Sequence, residues 1–518
     1  MPRNPLSAYG FDSPWRAVLL LTAAMTAVRL AALFLTPLEL YPDEAQYWLW
    51  SRTLDWGYYS KPPMIAWAIW ATTAVGGDSE AWVRLAAPLF HAGTTLCVYA
   101  VGRRLYGAEA GFAAMALYLL MPGVQLSALA IATDAPLLLF LSLALLAYVA
   151  LIQAEPRRRL WLAAGLGGAL GLAFLAKYAA VYGLIGLGLH ALASKDARRA
   201  WSPAAIGAAA GAFLAVLAPN LIWNAGHGFA TVQHTAANAA WGGRRLFNFE
   251  ELADFVASQF GVFGPIPFAV LIGGAAWLAL RRRLQPADIL LLCFALPPLL
   301  IVTGQSFISR ANANWSGAGY VAGAILAGAW LMRWRARGWL TGALALQALV
   351  AAVFLACVIV PPFADRVGLA NSFKRAKGWA QITDAMVERV LAEPPGAFSA
   401  VAVDDRFLFN AAAYYGRDVF GDPSQPPLRM WVREITPQNQ AETTAPLTPE
   451  LGGRVLAASL EPAFREEMAR DFRRVSAQEI VGVRLDRKRR RSVAIFVGEG
   501  FAPQPRDPRT GKPLPTQP

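Results

Sequence analysis

Cysteine and histidine are almost missing from these 518 residues, at three and four. Cys97, Cys293 and Cys357 all fall inside apolar runs, so neither a disulfide framework nor a cysteine-based metal site is expected. His91, His190, His227 and His234 are scattered. The closest two, seven positions apart, have no acid or cysteine beside them, so no metal ligand set is expected from them either. Charge is also scarce, at 16% of residues against roughly 25% in a soluble domain. No GxxxxGK[ST] loop and no Rossmann-type glycine pattern occurs, which excludes the usual nucleotide cradles. Solenoid repeats are absent. The amino terminus lacks the short apolar core and cleavage site of a secretory signal.

What is plentiful is apolar sequence: 56% of residues, with a mean hydropathy of +0.38. No soluble core needs that much, and a span of bilayer takes about 20 such residues. The runs predict about eleven transmembrane helices, over 15–36, 81–102, 109–125, 134–153, 160–176, 179–193, 201–222, 256–280, 286–303, 315–333 and 339–361. The net charge of +13 does not point to nucleic acid, because its basic residues sit between apolar runs. These clusters are Arg103-Arg104, Arg157 to Arg159, Lys195 with Arg198 and Arg199, Arg281 to Arg283, and Arg333 with Arg335 and Arg337. With the amino terminus inside, eleven crossings leave every cluster on the cytoplasmic side, as the positive-inside rule requires. Everything after Pro361 then lies outside.

From Pro362 the chain turns polar. A helical stretch, Ser372 to Ala392, precedes strand-like runs "AFSAVAV", "LRMWV", "GRVLAAS" and "RSVAIFV", interleaved with helical pieces "FLFNAAAYYG" and "PAFREEMARDF". That alternation predicts a small α/β domain. The expected organisation is a membrane domain over 1–361 with a functional first outer loop over 37–80, an outer α/β domain over 362–502, and a proline-rich disordered tail over 503–518.

Three places put ionisable groups at the outer membrane face. In "LYPDEAQYWLWSRTLDWGYYSKPP", Pro42 can open a helix, leaving Asp43 and Glu44 in its first turn, where the helix dipole favours negative charge. Asp43, Gln46 and Tyr47 share a face at i, i+3, i+4 spacing, and Lys61 follows before two prolines. In "TDAP", Asp134 opens the fourth expected span. In "SRANANW", Arg310, Asn312 and Asn314 precede the tenth. Each has a plainer reading: Asp134 as a helix cap, Arg310 on lipid head groups, and Trp48, Trp50, Trp56, Tyr58 and Tyr59 as an interfacial aromatic belt. A carboxylate pair with a nearby lysine at membrane level reads as a site. A carboxylate facing a hydroxyl can serve as general base, and a lysine can hold a phosphate as a point charge. Outside the membrane there are no nucleotide sugars, so an activated donor would arrive as a lipid-linked phosphate sugar. Its phosphate leaving group needs cations rather than a general acid.

These motifs carry a resemblance. "YPDEAQYW", "SKPP" and "TDAP", with "FLAKYA" around Lys177 and "RANANW" around Arg310, resemble the C-type membrane glycosyltransferases that use polyprenyl phosphate sugars. That group holds protein O-mannosyltransferases, lipid A aminoarabinose transferases and the family 39/83 galacturonosyltransferases of lipopolysaccharide. The layout is similar over nearly the whole chain, and the specific motifs cover about 60 residues. The resemblance implies a polytopic α-helical fold with an outer C-terminal domain in a bacterial inner membrane. It also implies transfer of one sugar from an undecaprenyl or dodecaprenyl phosphate donor to a hydroxyl of a lipid A, lipopolysaccharide or other glycan acceptor, with inversion. A protein acceptor is the alternative, and a lipid-linked sugar flippase is the rival from another class. Asp43 is implied as the acid at the reaction centre, with Glu44 beside it and Asp134 as a second acid. Lys61 is implied on the donor phosphate, and Gln46, Tyr47, Tyr59, Lys177, Arg310 and Asn314 complete the binding set. A divalent cation is compatible with this chemistry and not required by it. The aminoarabinose transferases read Asp-Glu-Ala-Arg-Tyr where this chain has Gln46, so Arg310 or Lys177 is expected to supply the missing cation.

Overall fold

The computed structural model describes residues 14–238 and 247–513. The chain forms two compact units: Met1–Leu35 with Asp55–Leu355, and Thr36–Leu54 with Ala356–Pro518.

The first unit is a helical membrane body. Among the described residues, seven helices are long and apolar enough to span: Pro14–Leu35, Glu80–Tyr106, Asp134–Gln153, Pro156–Ala176, Pro203–Gly226, Pro286–Ile308 and Arg337–Ile359, the last running on into the second unit. Two expected spans are broken instead of continuous. Ala108–Leu120 and Pro122–Leu129 meet at 54°, and Phe249–Phe263 and Pro265–Leu280 at 114°. Each break falls where proline, lacking an N–H, cannot continue the preceding helix and starts a new one; Gly264, with φ +98°, makes the second turn. Counting each bent pair once gives up to nine spans among the described residues. The eleven expected crossings are reached only with Tyr178–Ala193 and Gly319–Arg333, both shorter. The latter is about 22 Å long at 1.5 Å per residue, and it is buried from Gly319 to Leu331, so it meets protein rather than lipid. Small residues permit the close approach: Gly328 lies on the Ala114 backbone and Gly102 on Gly111, as in other membrane helix pairs. Met64–Gly76 is a further apolar helix inside the expected outer loop.

The second unit is an α/β domain around one six-stranded sheet. Its strands are β1 Ala400–Val403, β2 Leu428–Met430, β3 Arg454–Ser459, β4 Phe472–Val475, β5 Glu479–Arg484 and β6 Arg490–Phe501. β1 pairs in parallel with β2 and β3, whereas β6 pairs antiparallel with β3, β4 and β5. The expected helix over 372–392 is interrupted at Gly378, whose φ of +81° ends a short 3-10 turn and starts Trp379–Leu391. Residues 503–513, expected in a disordered tail, are tied to the domain by Arg506, which reaches Asp471 at 2.7 Å.

Residues 36–54 are built into this domain. The Glu39 amide donates to the Ala376 carbonyl and its carboxylate accepts from the Trp379 amide. The Leu40 amide donates to the Tyr415 hydroxyl at 2.8 Å, and the Tyr41 hydroxyl to the Ser372 carbonyl at 2.7 Å. Helix Pro42–Ser51 packs on helix Arg406–Tyr415, with Leu49 against the domain core and Trp48 edge-on to Tyr414.

Candidate functional site

In the first unit, three of the sequence-selected residues meet. Asp134 stands in the first turn of Asp134–Gln153, and Lys177 lies at the break after Pro156–Ala176. Asn314 sits in the 3-10 turn Ala313–Ser316. Lys177 Nζ donates to Asp134 Oδ1 at 2.8 Å, and Asn314 Nδ2 to Asp134 Oδ2 at 3.1 Å. Both carboxylate oxygens therefore face tertiary partners. The helix N-cap is Thr133, and its side chain makes no capping bond. Simple capping is not what occupies Asp134. Arg310 stands exposed nearby in sequence, and its side chain has no partner among the described residues.

The loop carrying Lys61 is held by the end of helix Pro203–Gly226. Asp55 Oδ2 accepts from Trp223 Nε1 at 2.7 Å and its carbonyl from Trp67 Nε1 at 3.0 Å. Asn220 Nδ2 donates to the Trp56 carbonyl at 2.6 Å, and Thr231 Oγ1 to the Tyr58 carbonyl at 2.6 Å. Gly57 has no room for a side chain, because a Cβ there would overlap the Trp223 ring. Burial pushes the Tyr58 hydroxyl up to about 12, so it stays neutral as it takes the Asp55 amide at 3.1 Å. Tyr178, next to Lys177, donates to Asn220 Oδ1 and accepts from Asn224 Nδ2, both at 3.0 Å. Two hydrogen-bonded clusters, Asn314–Asp134–Lys177 and Tyr178–Asn220–Asn224, thus adjoin through the Lys177–Tyr178 peptide, and the second reaches the loop that presents Lys61. Lys61 is half-buried and enters helix Met64–Gly76 through two buried prolines. Tyr59 is half-buried and packs edge-on to His234.

In the second unit, helix Pro42–Ser51 separates its two acids. Glu44, expected beside the reacting acid, turns back to accept the Tyr41 amide at 2.8 Å and is 2% exposed. That is a capping role, and burial leaves it little access to a substrate. Asp43 is exposed at 52% of its side chain, 4.0 Å from Arg406. Gln46 and Tyr47 are both buried. The Tyr47 ring lies against Trp50, whereas Gln46 Oε1 accepts from Arg406 Nη1 at 3.3 Å. The cation beside Gln46 within this unit is Arg406. Nothing in the local spacing announces Arg406, which lies 360 positions away at the start of a helix that Asp405 caps. Among the described residues, no three His, Cys, Asp or Glu side chains gather as a metal ligand set.

A family profile described as dolichyl-phosphate-mannose-protein mannosyltransferase matches residues 60–223. The chain is 40% identical over 318 residues to the lipid A galacturonosyltransferase RgtD of Rhizobium johnstonii, a match covering 61% of this chain and 66% of that one, just under two thirds of the relative's length. ArnT from Cupriavidus metallidurans in the apo state superposes with a TM-score of 0.65 at 17% identity, over 95% of this chain and 98% of ArnT. The same protein bound to undecaprenyl phosphate gives 0.64 at 18%, over 94% and 98%. The chain is a multi-pass membrane protein with the fold of ArnT, similar over three fifths of its length to a lipid A galacturonosyltransferase.

Proposed function

We propose that this chain is a glycosyltransferase that moves one sugar from a polyprenyl phosphate to a hydroxyl of lipid A or a related envelope glycan. The reading rests above all on the 40% identity with a protein named for galacturonosyl transfer to lipid A. The ArnT fold supports it, since ArnT has been crystallised with undecaprenyl phosphate. The charge pattern supports an inner-membrane enzyme working at the outer face, with 1–361 as membrane domain apart from residues 36–54, which join the 362–502 domain, that domain periplasmic, and 503–518 as tail.

In the proposed step the acceptor oxygen bonds to the anomeric carbon as the bond from that carbon to the phosphate oxygen breaks, with inversion. The acceptor proton passes to Asp43, and the bonding electrons leave with the phosphate. An exposed carboxylate suits this role; capped, buried Glu44 supports it only through the helix. Lys61 and Arg310 are proposed to cover the leaving phosphate. Tyr59 and Asn314 are proposed to contact substrate, and Asp134, fixed by Lys177, to face sugar or acceptor. The direct test is sugar transfer from synthetic polyprenyl phosphate donors by purified wild-type protein and Asp43→Asn. Asn keeps the size and one acceptor but takes no proton, so turnover should fall about 10²- to 10⁴-fold, the usual range of general-base catalysis. Asp43→Asn retaining more than about a tenth of wild-type turnover would remove Asp43 from this role. A protein acceptor is a second reading, favoured by the mannosyltransferase profile over 60–223; lipid A and peptide acceptors offered in parallel decide between them.

A further inference from the structure

Arg406 has more donors than uses. Its guanidinium offers five N–H groups. Among the described residues it makes one hydrogen bond, to Gln46 Oε1 at 3.3 Å. Its distance to Asp43, 4.0 Å, is beyond the 2.7–2.9 Å of a charge-assisted hydrogen bond, so the two attract without being joined. The Phe407 ring lies 4.6 Å from the guanidinium carbon, and cation–ring attraction helps to fix its plane. The neighbouring acid, Asp405, is spent on the amides of Phe407 and Leu408. The side chain is 38% exposed. The result is an oriented, accessible guanidinium beside the proposed base.

A planar guanidinium is matched to a carboxylate, which it grips with two parallel bonds. We propose that Arg406 is a specificity residue that binds the carboxylate of a uronic acid sugar on the lipid-linked donor, an inference that rests on the transferase reading above. Like charge gives the physical reason. A uronosyl group brought to Asp43 sets one carboxylate against another, and a cation between them removes the repulsion. A neutral hexose has no such need, and its hydroxymethyl group cannot accept a bidentate grip. The similarity to a galacturonosyltransferase fits a donor of this charge.

The test uses the full-length purified protein, lipid A as acceptor, and two donors: undecaprenyl phosphate galacturonic acid and undecaprenyl phosphate galactose, which differ at that carboxylate. The readout is the ratio of their kcat/KM values. Wild type should prefer the uronosyl donor, and Arg406→Gln should lower that preference about 10- to 100-fold, the size of a lost charge-assisted contact. Arg406→Lys should restore part of it, since the charge remains and the fork is lost. Equal loss of both donors in Arg406→Gln, with unchanged thermal unfolding, would make Arg406 a mere support for Asp43 and overturn the proposal. Wild type without preference would also overturn it while leaving the transferase reading intact. Wild type that consumes neither donor would also overturn it, and the transferase reading would fall with it only if polyprenyl phosphate donors carrying other sugars are left unconsumed as well.

Discussion

The ion pair between Asp134 and Lys177 can be measured as a coupling. The two side chains are about four-fifths buried, at 19% and 21% exposure, with 2.8 Å between Oδ1 and Nζ. At an effective dielectric of 20, two charges at that distance attract by about 6 kcal/mol, but desolvation at this burial costs several kcal/mol per ion. The expected net coupling is therefore about 1–2 kcal/mol. Asp134→Asn leaves Lys177 without its counter-charge. It also offers an amide N–H₂ to one of two donors, although Asn314 can turn its own amide to present oxygen. Lys177→Met leaves the carboxylate on Asn314 alone. Each single variant should lose about 2 kcal/mol, and the double variant clearly less than the sum. Unfolding free energies of the four proteins in mixed micelles give the coupling directly. Were Asp134 only a helix cap, Asn would serve as well, so Asp134→Asn would match wild type and the double variant would equal Lys177→Met. That pattern would refute the reasoning.

Two further predictions use the loop and the domain. Gly57→Ala should displace the Trp223 ring and break its bond to Asp55, lowering stability by about 1–3 kcal/mol and weakening donor binding through the Lys61 loop; equal donor affinity in a binding titration would detach that loop from the site. In the second unit, burial holds the Asp404 carboxyl up at about 6, despite its bonds from Ser459 and Leu460. Its folded value lies above its unfolded one. Its contribution is full below about pH 4 and is lost as pH rises through 6. Asp404→Asn should thus gain on wild type between pH 4 and 8, on the order of 3 kcal/mol; a stability difference that does not change with pH would contradict the assignment.

Much of the fold was legible because its signals are local. Apolar runs located the membrane helices, and short apolar strand-like runs flanked by helical pieces located β1, β2, β3 and β6. β4 and β5 were missed; they are short or largely exposed, so burial prints little alternation on them. The breaks at Pro122 and Pro265 were written in the sequence as Met-Pro-Gly and Gly-Pro-Ile-Pro, but a 20-residue apolar window averages across them. Among site residues, Asp134, Lys177 and Asn314 were picked separately, and only the fold brings them together. The different surroundings of Asp43 and Glu44 were not legible, because a capping acid and a reacting acid look alike at a helix start. Arg406 was invisible because its partners are set by tertiary packing, 360 positions away.

The placement of residues 36–54 in the second unit has a consequence for how the molecule is made. Helix Pro42–Ser51 leaves the ribosome well before its partner Arg406–Tyr415, which follows some 360 residues later. At about 5–20 residues per second, that is a delay of about 20 to 70 seconds. Throughout it Trp48 lacks Tyr414 and Leu49 lacks the domain core. The nascent segment must stay soluble, or be held by a chaperone, until that partner helix has been made. A chain that stops after its last membrane helix would insert and yet leave the Asp43 helix with nothing to fold on. The second unit's sheet domain is therefore a late-arriving foundation for residues made some 360 positions earlier.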